Sequence, residues 1–205
     1  MKKETQDFID FVKSECKKNG VVFKPHKRAY VRHSESIKCG GFFDDGSDLE
    51  KRKATLAFAQ GHPDFLELLV HEYCHMTQWI DGIDLWEVCA NSMTIIGEWL
   101  SGIDHPDHLV QEAINNSRDL ELDNEKRSAE IFKKWNLPVD VDLYIKKSNA
   151  YVNFYNYLKI SRKWSSPENS PYVNKNILAA MSEKFDMDYE NLSYELIGLF
   201  KKENI

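Results

Sequence analysis

The stretch formed by residues 65–80 constrains the fold of this chain more than any other part of its sequence. Pro63 before it and Gly82 after it are typical of a helix start and a helix end. Unpaired polar groups are costly on so apolar a helix, so the two histidines and the glutamate inside it need a partner or a function. The surrounding apolar residues include Leu66, Leu68, Leu69, Val70, Trp79 and Ile80.

The polar residues of this helix, His71, Glu72 and His75, have the spacing HExxH. Residues four apart lie one turn apart on the same helix face, so both imidazoles can reach a single metal ion. Glu72 follows His71 directly, which places its carboxylate beside the ion, where it can accept a proton from water. The pattern therefore predicts His71 and His75 as zinc ligands and Glu72 as the catalytic general base. The alternative is a pair of surface histidines next to an incidental glutamate.

A catalytic zinc ion needs a third protein ligand and leaves its fourth position to water. The segment of residues 118–130 offers two candidates, Glu121 and Glu125, which lie four apart on one face of a predicted helix. Phe132 and Trp135 continue this face, so it is expected to point inward. An inward pair of carboxylates needs a cation or a basic partner, which a metal ion would supply.

With these residues the chain resembles the gluzincin class of zinc metallopeptidases, in particular its small single-domain members, over residues 37–135. In that class HExxH is completed by a glutamate on a later helix, and in several branches an acidic residue four positions further on supports the site. The resemblance implies Glu121 as the third metal ligand and Glu125 as a supporting carboxylate that orients a ligating histidine. This chain has a glutamate where the class more often has Asp or Asn, so the choice between Glu121 and Glu125 stays open.

Four other residues near the motif are rival ligands. Asp81 stands six residues after the second histidine, as in the metzincin class, but Gln78 occupies the position where that class has a turning glycine. Glu87 follows the second histidine by twelve residues, which leaves little room for two antiparallel helices. His105 and His108 fall in a predicted loop, where we expect them to be solvated unless they touch substrate.

The rest of the chain predicts an α+β fold. Residues 5–18 have helical periodicity, and short apolar segments at 21–23, 29–32, 37–43 and 54–59 predict a small antiparallel sheet packed on the HExxH helix. The later part predicts helices over 85–99, within 109–135, and over 141–164, 174–185 and 189–202. We expect one zincin-like domain over residues 1–205, with a sheet and active-site lobe (1–110) and a helical lobe (111–205).

Charge and composition limit the expected partners. A net charge of −6 and a pI near 5.7 give no general attraction for nucleic acid or anionic lipid. No apolar run is long enough for a signal peptide or a membrane span, and the four cysteines lack a paired zinc-type spacing. We therefore expect a cytoplasmic protein that acts on a peptide or protein, with neither nucleic acid nor membrane as a partner. The sequence leaves the oligomeric state open.

The predicted function is zinc-dependent hydrolysis of peptide bonds, with Zn²⁺ as the cofactor. The alternative is a catalytically silent zincin-fold protein with a regulatory or binding role, which has no need of the base Glu72. Tyr151, Tyr155 and Tyr172 are available as oxyanion donors, although a tyrosine stripe at helical spacing is more often core. Gly40-Gly41 indicates either an edge strand that receives an extended peptide or a bulge in an internal strand.

Overall fold

The computed structural model describes residues 2–34, 37–47 and 53–205, and its elements confirm the α+β class. The helices are α1 (Lys3–Lys18), α2 (Phe65–Asp81), α3 (Asp84–Leu100), α4 (Asp107–Lys134), α5 (Val141–Ser161), α6 (Lys175–Ala180) and α7 (Tyr194–Lys202). The strands are β1 (Val22–His26), β2 (Val31–Arg32), β3 (Lys38–Cys39), β4 (Gly41–Asp44) and β5 (Thr55–Ala59).

The chain divides into two compact units that alternate along the sequence. The first comprises Met1–Gly82 and Arg127–Val139, and the second comprises Ile83–Lys126 and Asp140–Ile205. These units differ from the consecutive lobes expected at 1–110 and 111–205, because α4 contributes residues to both.

The first unit contains a three-stranded sheet in the order β1-β5-β4. Strand β5 pairs antiparallel with β4, but β1 pairs parallel with β5, Val22 lying opposite Thr55. The main sheet is therefore mixed, and the expectation of a wholly antiparallel sheet was wrong for β1. Apolar alternation marks strands without fixing the direction in which they pair. A separate antiparallel ladder joins β2 to β3.

Helix α2 packs on β4 and β5, as the sequence predicts. Every residue of β5 is buried, and α2 contributes Leu69, Val70 and Met76 to the same interior. The helix ends where Gly82 adopts a left-handed conformation with φ of 63°, which glycine tolerates at no steric cost. The C-terminal part of α4 is tied to α2 by Arg127, which donates hydrogen bonds to Asp81 Oδ2 at 2.6 Å and Thr77 Oγ1 at 3.3 Å.

The second unit is built around α5, whose middle is buried on nearly every side. Its core also takes residues from α3, α4, α6 and α7, namely Ile96, Ile114, Ile177 and Phe200. Asn149 on α5 donates to the carbonyls of Ser182 and Lys184, which fixes the segment after α6. Helix α5 ends at Ser161, three residues before the predicted end at Trp164, because Arg162 turns left-handed with φ of 48°.

Helices α1, α3 and α4 match their predicted bounds closely, and Asp107–Lys134 is a single long helix. By contrast, α6 and α7 are shorter than the predicted segments 174–185 and 189–202. Among the helices that the structure describes, none combines the length and apolarity that a bilayer crossing requires.

Candidate metal centre

Helix α2 presents His71 and His75 side by side. They lie one helical turn apart, and their ring centroids are 4.7 Å from each other with the ring planes at 88°. Both residues are only partly exposed. Two imidazoles held by successive turns of one well-packed helix are fixed in relation to each other, which is what a shared metal ion requires.

The structure brings Glu121 of α4 to these two histidines. One ligand atom from each of His71, His75 and Glu121 lies within 4.8 Å of the other two. Donor atoms around a tetrahedral zinc ion lie about 3.3 Å apart, so small side-chain rotations bring the three into coordination range. Two imidazole nitrogens and one carboxylate oxygen are a donor set typical of catalytic zinc. The residues present therefore fit the ion, and its binding remains a prediction.

Gln78 makes a hydrogen bond with one of the two histidines. The Nδ1–H of His75 donates to Gln78 Oε1 at 2.8 Å, and Gln78 has no exposed surface. With Nδ1 carrying the proton, Nε2 keeps a lone pair for a metal ion. The sequence interpretation treated Gln78 only as the residue that replaces a glycine, and missed this contact.

Desolvation keeps His75 in the neutral form that a ligand needs. Burial within the protein is the largest cause, followed by the neighbouring His71, and together they lower the pKa of His75 to about 3. The hydrogen bond to Gln78 acts in the opposite direction. At neutral pH the His75 imidazole is therefore uncharged.

Glu72 is packed against the backbone of β4. Its side chain is 7% exposed, and a methyl group added at Gly41 would lie 2.8 Å from Glu72 Cγ and 3.0 Å from Glu72 Oε1. A methyl group at Gly40 would similarly meet the Leu68 side chain at 2.7 Å. The two glycines therefore admit side chains of α2, and Gly41 begins β4, an edge strand of the three-stranded sheet formed by the described residues. The expected edge strand is thus observed at Gly41, and its pairing with an extended peptide stays a prediction.

Glu121 lies close to two tyrosines of α5, the partly buried Tyr151 and the buried Tyr155. Burial is the main cause that raises the pKa of Tyr151 and Tyr155, and the charge of Glu121 is the second cause for both. Their hydroxyl oxygens are 3.1 Å apart, within hydrogen-bonding distance. Tyr172 packs its ring edge-on against Tyr151 and is 41% exposed. Of the tyrosines considered as oxyanion donors, Tyr155 is thus a core residue and Tyr172 lies at the surface.

Glu125 has a different environment from Glu121, although it is only one turn away. It is 5% exposed and accepts a hydrogen bond from Ser148 Oγ at 2.7 Å. It is not among the residues that the structure brings together with the histidines. Of the two glutamates left open by the sequence, Glu121 is the one placed to bind a metal.

The rival ligands lie outside the cluster. Asp81 pairs with Arg127 at 2.6 Å, and α2 runs on to this residue without the turn that would redirect it. Glu87 is exposed in the first turn of α3. His105 Nε2 lies 2.8 Å from Glu98 Oε2. His108 is exposed, but it lies in the first turn of α4 and not in a loop as predicted. None of the four joins the group formed by His71, His75 and Glu121.

Comparison of the chain with protein-family models, with curated proteins and with solved structures finds no match. The resemblance to the gluzincin class therefore rests on the motif residues alone.

Proposed function

We propose that this protein is a zinc-dependent peptidase in which His71, His75 and Glu121 bind the metal and Glu72 is the general base. The observation that carries the proposal is the grouping of these three ligands, with their donor atoms within 4.8 Å of one another. The residue following the first ligand, Glu72, is itself held against β4. A structural zinc site has no use for such a base, so the arrangement favours hydrolysis over a purely structural role.

The chain's own residues would perform the proton transfers. A zinc ion held by the three ligands supplies Lewis acidity towards water and towards the scissile carbonyl. Glu72 accepts the proton of the attacking water and later delivers it to the leaving amine, because its carboxylate is adjacent to the ligand His71. Gln78 keeps His75 in the tautomer that binds metal through Nε2. Gly41 leaves the space in which the Glu72 carboxylate lies.

An extended peptide has a natural place beside β4. This strand forms one edge of the sheet, and edge strands bind extended chains through main-chain hydrogen bonds. Gly41 lies on that strand in contact with Glu72, so a peptide paired with the edge passes close to the base. This placement favours a peptide as the substrate over a small molecule.

Metal analysis tests the ligands, with Glu125 as the matched control. Wild-type protein reconstituted with zinc should bind about one ion per chain. Glu121→Ala should weaken zinc binding by more than the roughly 10- to 100-fold that loss of a supporting residue costs, whereas Glu125→Ala should stay within that range. If Glu121→Ala keeps its zinc while Glu125→Ala loses it, the ligand assignment is wrong.

Cleavage of a proteome-derived peptide mixture, followed by mass spectrometry, tests the reaction. Glu72→Gln should keep zinc and lower the cleavage rate by roughly 10²- to 10⁴-fold, because only the base is lost. Wild-type cleavage rates in Glu72→Gln would refute the mechanism. Zinc binding without any cleavage by the wild-type protein would favour the silent regulatory alternative.

A further inference from the structure

A short stretch of this acidic protein is strongly basic. The chain carries a net charge of −6, yet residues 22–40 contain one acidic residue, Glu35, which lies outside the described residues. The basic side chains of this stretch are all exposed, and they are Lys24, His26, Lys27, Arg28, Arg32, His33 and Lys38. Positive charge is therefore concentrated in this stretch of the sequence.

Two of these cations form a cross-strand pair. In the ladder between β2 and β3, Arg32 lies directly opposite Lys38, while Val31 lies opposite Cys39. Val31 is buried, so the alternation of the strands turns the two cations outward.

The backbone beneath the basic loop is fixed. The amide of Gln60 donates to the carbonyl of His26 at 2.7 Å, and the amide of Gly61 donates to the carbonyl of Arg28 at 3.2 Å. A methyl group at Gly61 would lie only 2.4 Å from the carbonyl oxygen of Lys27. The backbone of the loop between β1 and β2 is thus anchored to the end of β5.

The cationic pair is directly connected to the wall of the proposed site. Strand β3 continues through Gly40 into β4, where Gly41 contacts Glu72. Lys38 precedes Gly41 by three residues, which is at most about 10 Å of extended chain. The charge of Glu72 also contributes, after burial, to raising the pKa of the intervening Cys39 to about 11.

We propose that the pair formed by Arg32 and Lys38 selects peptides that carry acidic side chains within about three residues of the cleaved bond. The inference rests on the proposed peptidase function, because it places the pair beside the peptide's path along β4. A peptide is a better occupant than a nucleic acid. Nucleic-acid sites commonly neutralise about six to ten phosphates, and the acidic remainder of this chain would repel so dense an anion.

The test compares a charge-removed variant with a matched control. Arg32→Ser/Lys38→Ser removes the pair, and Lys17→Ser/Lys18→Ser removes the same charge from the exposed end of α1. Peptides that the zinc-loaded wild-type protein cleaves are resynthesised with each Glu near the cleaved bond replaced by Gln. The ratio of kcat/KM for the Glu and Gln peptides should fall about tenfold in the first variant and stay unchanged in the second.

Binding measurements separate failure of this inference from failure of the peptidase function. Fluorescein-labelled Glu and Gln peptides are titrated into Glu72→Gln protein with and without the cationic pair. Cleavage that is indifferent to Glu or Gln overturns the inference and leaves the peptidase function standing. Absence of cleavage, with Glu-peptide binding that still depends on the pair, overturns the peptidase function and supports the acidic-peptide surface. In a competition experiment, unlabelled Glu peptide and a single-stranded DNA oligonucleotide each displace the labelled Glu peptide. If the DNA does so at a lower concentration than the unlabelled peptide, a peptide is the wrong ligand.

Discussion

Replacing Gly41 with alanine is the most direct test of how β4 positions Glu72. The added methyl group would lie 2.8 Å from Glu72 Cγ, 3.0 Å from Glu72 Oε1 and 3.1 Å from the carbonyl oxygen of Ala57. The Ala57 carbonyl belongs to the buried strand β5 and cannot retreat easily. The Glu72 side chain is therefore the group that has to move.

Two magnitudes follow from this clash. Overpacking of a buried site costs about 1 to 3 kcal/mol, which for a chain of this size corresponds to a fall in Tm of roughly 3 to 9 °C. Displacing a reacting group by about 1 Å can cost roughly 100-fold in rate. Gly41→Ala should therefore lower kcat about 100-fold while zinc content stays at the wild-type level, because the atoms nearest to the added methyl group belong to Glu72 and Ala57 and not to the three proposed ligands.

Gly40→Ala is the matched control for this experiment. It introduces the same methyl group one residue away, where it meets Leu68 at 2.7 Å instead of Glu72. Both variants should lose stability in thermal unfolding, but only Gly41→Ala should lose peptide cleavage at a temperature where both are folded. Equal losses of activity in the two variants, or full activity in Gly41→Ala, would refute the reasoning.

Three further predictions concern single residues. Gln78→Ala should weaken zinc binding roughly 10- to 100-fold in a chelator competition, whereas Gln78→Glu should retain it because a carboxylate can also accept the hydrogen bond from His75. Wild-type zinc affinity in Gln78→Ala would show that this hydrogen bond does not support the metal site. Gly61→Ala should destabilise the protein in urea because its methyl group would meet backbone at 2.4 Å, whereas Gly97→Ala, with nothing within 4 Å, should stabilise it by about 0.5 to 1 kcal/mol. Burial raises the pKa of Cys16 from 9.0 to about 12, so the folded chain keeps a proton that the unfolded chain loses. The stabilisation from this thiol is present below pH 9 and is lost as the pH rises towards 12. Between pH 8 and 10.5 the free energy of unfolding of the wild-type protein should therefore fall by roughly 1 to 2 kcal/mol more than that of Cys16→Ala.

The helices were the most predictable part of the fold. In α1, the buried Phe8, Val12 and Cys16 recur at the helical period, and Asn19-Gly20 marks the end. Periodicity is a local property, so it can be recognised in a single sequence. The pairing of β1 with β5 was not predictable in the same way, because residues 27–54 lie between the two strands and no local pattern encodes a contact over that distance.

The candidate site likewise contains residues that the sequence could identify and residues that it could not. His71, Glu72 and His75 could be identified because one helix carries all of them, and helix geometry alone fixes their relation. The choice of Glu121 over Glu125 depended on the family resemblance, because both residues lie on one face of α4 and their spacing alone does not decide which one reaches the histidines. Gln78 carried a usable signal that the interpretation missed, since it is a polar residue one turn after His75 on an apolar helix.

Burial of polar groups on α2 gives the strongest physical reason to expect chemistry at this helix. Glu72 and Gln78 are both buried, at 7% and 0% exposure, on an element whose other buried residues are largely apolar. Burial of a carboxylate and an amide costs free energy that better packing of apolar residues would avoid. Gln78 offsets this cost through His75, but a structural metal site would need neither Glu72 nor a glycine to make room for it. The carboxylate next to His71 and the space that Gly41 leaves for it therefore support the proposed role of Glu72 as a general base.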